Sequence, residues 1–187
     1  MEIQWLGHAC FAITHQGFRV VIDPYNSDYI NGYPKLNTTA DLLLVSHEHY
    51  GHNYREGVKL SGRPASDCPF RIEKIRVPHD FKMGNWRGFC DIHVLEADGM
   101  KLVHMADIGT QLDGSQVSRL FGADVVMNVG NASVRFVNGN GEWINVVDKN
   151  GEVKSKYFGA TNINNSVSSI SINTDGYNDT IKNSGAV

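Results

Sequence analysis

The chain has 187 residues, 41% hydrophobic and 20% charged, which suffices for one well-buried core and a small appendage rather than for several domains. A formal charge of -3 and a pI near 6.2 leave no cluster of Lys and Arg, so nucleic acid and anionic membranes are not expected as partners and a small molecule is. Three cysteines without metal or redox spacing argue against a disulfide framework; with no basic leader and no apolar run of the roughly 18 residues that a spanning helix needs, a cytoplasmic protein is expected.

Glu2 to Leu6 and Cys10 to Thr14 read as short strands, and Gln16-Gly17 supplies a turn before the strand Phe18 to Asp23. Pro24 to Thr39 is rich in Asn, Tyr, Gly and Pro and breaks the periodicity. The apolar run Asp41 to Ser46 predicts a strand buried on both faces, with a histidine-rich loop at its carboxyl end. Phe70 to Val77 alternates as a half-exposed strand does, and Pro78 stops it before His79. Asp98-Gly99 joins the strands Asp91 to Leu95 and Lys101 to Met105 in a hairpin, with Asp107 just beyond. Ser115 to Phe121 predicts a short helix capped by Ser115, and Ala123 to Met127 a further buried strand.

After about Gly130, Asn, Ser and Gly become frequent, which divides the chain into a core of residues 1–130 and a C-terminal part of residues 131–187. Val134 to Val137, Trp143 to Val147 and Val153 to Phe158 predict a polar β-meander turning at Asn138-Gly139-Asn140-Gly141 and Lys149-Asn150-Gly151. Its edge strands could pair copies of the chain into a homo-oligomer. Asn162 to Val187 has few large apolar residues and is expected to be disordered unless it pairs with a neighbouring sheet.

His47-Glu48-His49-Tyr50-Gly51-His52 places three imidazoles within six residues, and neutral imidazole is the commonest protein ligand for zinc and similar ions. Two helical ligands on one face stand four apart, but position 51 is glycine, so the loop geometry applies instead. There, residues two apart can converge on one ion, with His52 aimed at an adjacent position. His79 and Asp107 stand in the same strand-then-loop context and are candidate further ligands; Asp23 and His8 are candidates for orienting the ligands. Glu48 and Asp80 are expected to face outward. His15, His93 and His104 are read as packing or surface residues.

Trp5-Leu6-Gly7-His8-Ala9-Cys10-Phe11, Ile22-Asp23-Pro24 and Ser46-His47-Glu48-His49 together resemble the metallo-β-lactamase superfamily. Pro78-His79-Asp80, Arg87-Gly88 and Ala106-Asp107-Ile108-Gly109 extend the resemblance through about residue 130, most closely to the branch of ascorbate-6-phosphate lactonase-like hydrolases. The resemblance implies an α/β (α+β) fold, a β-rich αββα sandwich of two mixed sheets. It also implies a His-x-His-x-Asp-His loop, in which His47, His49 and His79 hold one metal, Asp107 bridges to a second, and His52 belongs to that second site. The motif Asp is replaced here by Gly51, and no histidine follows His104 to match the family's C-terminal ligand. One ion rather than two is therefore expected, zinc first, with manganese or iron as alternatives. The implied function is hydrolysis of a small-molecule ester, lactone, amide or phosphodiester by a metal-bound water. The alternative is a catalytically impaired metal-binding or ligand-binding domain of the same fold.

Overall fold

In the computed structural model, residues 1–127 are described in full. Beyond them the structure describes the backbone of Asn128 and of strands at 133–136, 142–147, 153–158, 169–170 and 180–183. The N-terminal meander forms as the alternation predicts: β1 (Glu2–Gly7), β2 (Cys10–His15) and β3 (Phe18–Ile22) pair antiparallel. Gln16 and Gly17, with φ of 49° and 71°, make the two-residue turn whose twist suits a hairpin. β4 (Thr38–Ala40) follows, then β5 (Leu42–Leu44), which lies parallel to β3. β6 (Val58–Leu60) pairs with β4 in a small parallel sheet.

β5 departs from the expectation of a strand buried on both faces. It closes one end of its sheet, only Leu44 of its residues is buried, and the strand stops two residues before Ser46. An apolar run reports hydrophobicity but not position within a sheet, and Leu42 and Leu43 keep part of their surface in water.

The second sheet contains β7 (Arg71–Pro78), β8 (Phe89–Ala97), β9 (Met100–His104) and β10 (Val125–Asn128). β7 closes one end of it, and its exposed Arg71, Lys74 and Arg76 are charges of the kind that discourage edge-to-edge pairing. The helix α1 (Gly114–Leu120) precedes β10. Its cap is Asp113 rather than Ser115: Asp113 Oδ1 accepts from the Gln116 N–H at 2.8 Å, and the Gln116 side chain accepts from the Asp113 N–H at 3.0 Å. This reciprocal capping box satisfies two amides at once, and Ser115 is left to donate to Asp113.

β11 (Ser133–Phe136) pairs with β10, while β12 (Glu142–Val147) and β13 (Val153–Phe158) form a hairpin. β14 (Ser169–Ile170) pairs with β11, and β15 (Thr180–Asn183) lies between β12 and β1. Val137, the turns at 138–141 and 149–151, and the remainder of the tail lie outside the described residues.

The two expected mixed sheets are thus present, ordered β13-β12-β15-β1-β2-β3-β5 and β14-β11-β10-β9-β8-β7, and helices are few. The chain divides into two compact units. The first comprises Met1–Pro69, Gly139–Ser166 and Asn173–Val187; the second comprises Phe70–Asn138 and Val167–Ile172. A core of the first unit gathers Leu6, Cys10, Ala12, Val21, Tyr25, Leu36, Ala40 and Val58. One in the second gathers Ile75, Val77, Cys90, Ile92, Val94, Val103, Ala106 and Ala123. Burial of each large aliphatic side chain in such a core contributes roughly 1.5–3 kcal/mol. Among the described residues, no helix is long and apolar enough to cross a membrane.

Candidate metal centre

The histidine loop belongs to the first unit, and two backbone anchors hold it beside the end of β3. Asn26 donates its N–H to the Tyr50 carbonyl at 3.0 Å, and Tyr54 donates to the Pro24 carbonyl at 2.8 Å. Within the loop the His52 N–H donates to the His49 carbonyl at 2.8 Å, a tight turn that folds His52 back. The His47 ring consequently lies 4.2 Å from the His52 ring and 4.5 Å from the His49 ring, centroid to centroid. His47 and His52 are buried and His49 is exposed.

Beneath these rings lies Asp23, fully buried and held in the left-handed region at φ 53°. Its Oδ1 accepts from the Ser46 N–H at 2.7 Å, and its Oδ2 accepts from the Ser46 hydroxyl at 2.6 Å and from His52 Nδ1 at 2.9 Å. Asp23, His47 and His52 each offer a ligand atom within 4.8 Å of the other two. Because both Asp23 oxygens already accept these bonds, the carboxylate orients His52 directly and His47 through Ser46.

These bonds determine the histidine tautomers. An ionised carboxylate only accepts, so His52 carries its hydrogen on Nδ1 and presents a lone pair on Nε2. Ser46 gives its one hydroxyl hydrogen to Asp23 and therefore accepts from His47 Nδ1 at 2.9 Å, which places the His47 lone pair on Nε2 as well. Two imidazoles locked in the ligating tautomer by a buried carboxylate are a donor set that fits zinc or a similar divalent ion. Ser46 had no assigned role in the sequence reading. Its relay depends on a partner 23 residues away, and a serine before the first histidine is the only local signal.

Glu48 faces outward as expected. Arg55 Nη1 and Asn53 Nδ2 donate to it at 2.9 and 3.1 Å, and chiefly the Arg55 bond brings its carboxyl down to about 2. The charge of Glu48 is thereby engaged on the exposed side of the loop. His8 approaches the cluster from the connection between β1 and β2, with its ring 5.3 Å from that of His52. The Cys10 thiol, buried nearby in β2, is pushed well above its ordinary pKa by burial and then by the Asp23 charge, which makes it a packing group.

His79 and Asp107 lie in the second unit. The Asp107 carbonyl accepts from His79 Nδ1 at 2.6 Å, which makes Nε2 the lone-pair nitrogen and sets it 4.0 Å from Asp107 Oδ2. Two ligands of a tetrahedral ion at bonds of about 2.0–2.2 Å stand about 3.3–3.6 Å apart, so the pair would close by about half an ångström to share one. Gly109 makes the apposition possible: a Cβ there would lie 2.3 Å from the Asp80 backbone nitrogen and 2.4 Å from the His79 carbonyl carbon. Gly109→Ala is therefore expected to force the Asp107 segment off His79, destabilising the fold by about 1–3 kcal/mol or more. Thermal melting would register the loss, and an unchanged melting temperature would show that the two segments can separate at no cost.

Asp80 corrects the expectation that it faces outward. It is buried, and it accepts from the backbone N–H groups of Lys82, Gly84, Trp86 and Arg87 at 2.7–3.2 Å. Burial by itself would raise its carboxyl, but the four amide donors hold it below the ordinary value. It ties down the 81–88 loop after His79. His93 and His104 are fully buried and face each other across β8 and β9, in keeping with a packing role; His15 is half-buried at the end of β2.

Residues 2–149 match the sequence model of the beta-lactamase superfamily domain. A UPF0173 metal-dependent hydrolase of Sulfolobus acidocaldarius is 29% identical over 118 residues, covering 57% of this chain and 52% of the relative. A UPF0173 protein of Pyrococcus furiosus is 40% identical over 103 residues, 46% of each chain. A crystal structure of a protein from Thermotoga maritima, described as a candidate Zn-dependent hydrolase of the metallo-beta-lactamase superfamily, has a TM-score of 0.44 and 26% identity over 67% of this chain and 59% of that one. The chain spans about half the length of the curated relatives it matches.

Proposed function

The chain belongs to the metallo-β-lactamase superfamily, and from that premise we propose that it acts as a metal-dependent hydrolase on a small-molecule ester, lactone, amide or phosphodiester. The observation that carries the reading is the locked tautomer pair: Asp23, directly and through Ser46, turns His52 and His47 so that each presents Nε2. A merely polar loop has no use for a buried carboxylate devoted to orienting imidazoles. The proposed ligands are His47, His49, His52, His79 and Asp107, and the proposed ion is zinc, with manganese or iron as alternatives; one ion is proposed rather than two.

When bound, such an ion supplies Lewis acidity, lowering the pKa of a water from about 15.7 toward about 7 and polarising a substrate carbonyl or phosphoryl oxygen. The chain's own part is to hold the donors: Asp23 and Ser46 orient two histidines, and the Asp107 carbonyl orients His79. The second reading, a catalytically impaired metal-binding domain, is supported by one specific feature, Gly51 in place of the motif Asp. The division near residue 130 is proposed as a functional one, since every proposed ligand lies before it. Self-association through the C-terminal strands is proposed because β13 stands at the end of its sheet.

Elemental analysis of the purified chain, with hydrolysis assays on lactone and phosphodiester panels, tests the reading. The expected result is about one equivalent of divalent metal and turnover that a chelator abolishes. Metal without turnover on any class favours the impaired domain. A chain that binds no divalent ion refutes both readings.

A further inference from the structure

After His79 the chain runs through a loop at residues 80–88 and returns to the point it left, where the His79 N–H donates to the Gly88 carbonyl at 2.9 Å. Every backbone N–H from Lys82 to Gly88 donates within this loop. Asp80 takes those of Lys82, Gly84, Trp86 and Arg87 on its carboxylate. Met83 donates to the Asp80 carbonyl at 3.2 Å, Asn85 to the Lys82 carbonyl at 3.2 Å and Gly88 to the Gly84 carbonyl at 3.0 Å. Met83 and Gly84 are both left-handed, at φ 57° and 83°, and a Cβ on Gly84 would lie 2.9 Å from the Gly88 carbonyl oxygen. A backbone tied so completely loses little further freedom when something binds to it.

With its polar backbone groups turned inward, the loop turns its large side chains outward. Phe81, Met83 and Trp86 are 66%, 64% and 67% exposed. Single exposed apolar residues are ordinary, but three on one rigid loop make a patch, which marks a binding surface. Phe81 and Trp86 meet edge to face at a centroid distance of 4.8 Å, and Lys82 Nζ lies over both rings, at 5.3 and 5.7 Å. The rings thus already hold a cation of the chain's own, so a second, from a ligand, would be repelled. Lys82 and Arg87 are exposed, whereas Asp80, the one carboxylate of the loop, is buried among its amides, so the outer side of the loop is aromatic and positive.

We propose that this loop is a substrate subsite, seating an acyl or aryl group on Phe81 and Trp86 and an anionic group on Lys82 and Arg87. The inference rests on the hydrolase reading above and names its substrate class: an amphiphile that carries a carboxylate or a phosphate. Closure of the loop on His79, a proposed metal ligand, favours a substrate over a distant partner. Two exposed cations also fall short of the clusters of about four to eight by which loops and helices hold an anionic membrane.

The test is calorimetric titration of the wild type, Lys82→Gln and Trp86→Ala with octyl phosphate, octanol and octyltrimethylammonium, on zinc-loaded and chelator-stripped protein. Both side chains are exposed, and Trp86→Ala keeps its backbone bond to Asp80, so melting temperatures should not change. Octyl phosphate is expected to bind at least about tenfold more tightly than the other two probes, with or without zinc. Lys82→Gln should weaken octyl phosphate alone, by about fivefold to tenfold. Trp86→Ala should weaken octyl phosphate and octanol alike, by at least about fivefold. Equal affinity for the three probes, or wild-type affinities in Trp86→Ala, overturns the proposal. So does a preference that vanishes with the zinc, which would place the phosphate on the ion. Binding to vesicles of phosphatidylcholine and phosphatidylglycerol without binding of monomeric octyl phosphate would assign the loop to a membrane and overturn it as well. Bound zinc without discrimination among the probes refutes this proposal alone, whereas discrimination in a protein that binds no divalent metal refutes the hydrolase reading and the substrate role with it.

Discussion

Asp23→Asn is expected to leave the chain folded and to weaken divalent-metal binding by about 10–100-fold. Asn accepts the left-handed backbone at φ 53° as readily as Asp and keeps its shape. What it cannot do is accept from three donors. The Ser46 N–H, the Ser46 hydroxyl and His52 Nδ1 all donate to Asp23, and an amide offers one oxygen and one NH2. Facing the NH2, His52 moves its hydrogen to Nε2, and the lone pair intended for the ion is lost. Asp23→Ala is harsher. It orphans three donors in a site without solvent access and puts a Cβ-bearing, non-hydrogen-bonding residue in the left-handed region. Leaving buried donors unsatisfied costs about 1–3 kcal/mol each, so the loss is several kcal/mol, which for a chain of this size lowers the melting temperature by roughly 10 °C. Chelator competition and thermal melts measure the two effects separately. Unaltered metal affinity in Asp23→Asn would sink the orienting role.

The largest loss of metal is expected from His47→Ala, because His47 is at once buried, locked by Ser46 and packed against both His49 and His52. Its removal takes away a donor rather than an orienting group, so the drop in affinity should exceed the 10–100-fold typical of the latter. The fold should tolerate the change better than Asp23→Ala, since Ser46 retains both bonds to Asp23. His15→Ala, on β2 outside the loop, serves as the comparison and keeps its metal. Metal content by elemental analysis decides the matter: equal loading of the His47→Ala and His15→Ala proteins would show that the histidine loop is not where the ion binds.

The strands and hairpins were legible because their signals are local. Alternating burial marks Lys74 to Val77 of β7, and the residue pairs Gln16-Gly17 and Asp98-Gly99, all at positive φ, mark the two tight turns. The histidine loop was legible for the same reason, three imidazoles crowded into six residues. The helix cap was misread because Ser115 and Asp113 are both good caps, and the choice depends on which side chain can exchange bonds with Gln116. Asp80 was misread because its four amide partners belong to a loop that closes only when the chain folds back.

By itself, then, the sequence determined the superfamily resemblance, the β-rich fold and the imidazole donors placed at residues 47, 49 and 52. Only the tertiary structure decided how those side chains are presented. Asp23 and Ser46 stand 23 residues apart, and His8 and Gly51 43 apart, so no local window contains both members of either pair. Hydrogen-bond direction and the filling of space are properties of groups brought together by folding. They convert three histidines in a loop into two with assigned tautomers, and set the His8 ring against the backbone of Gly51.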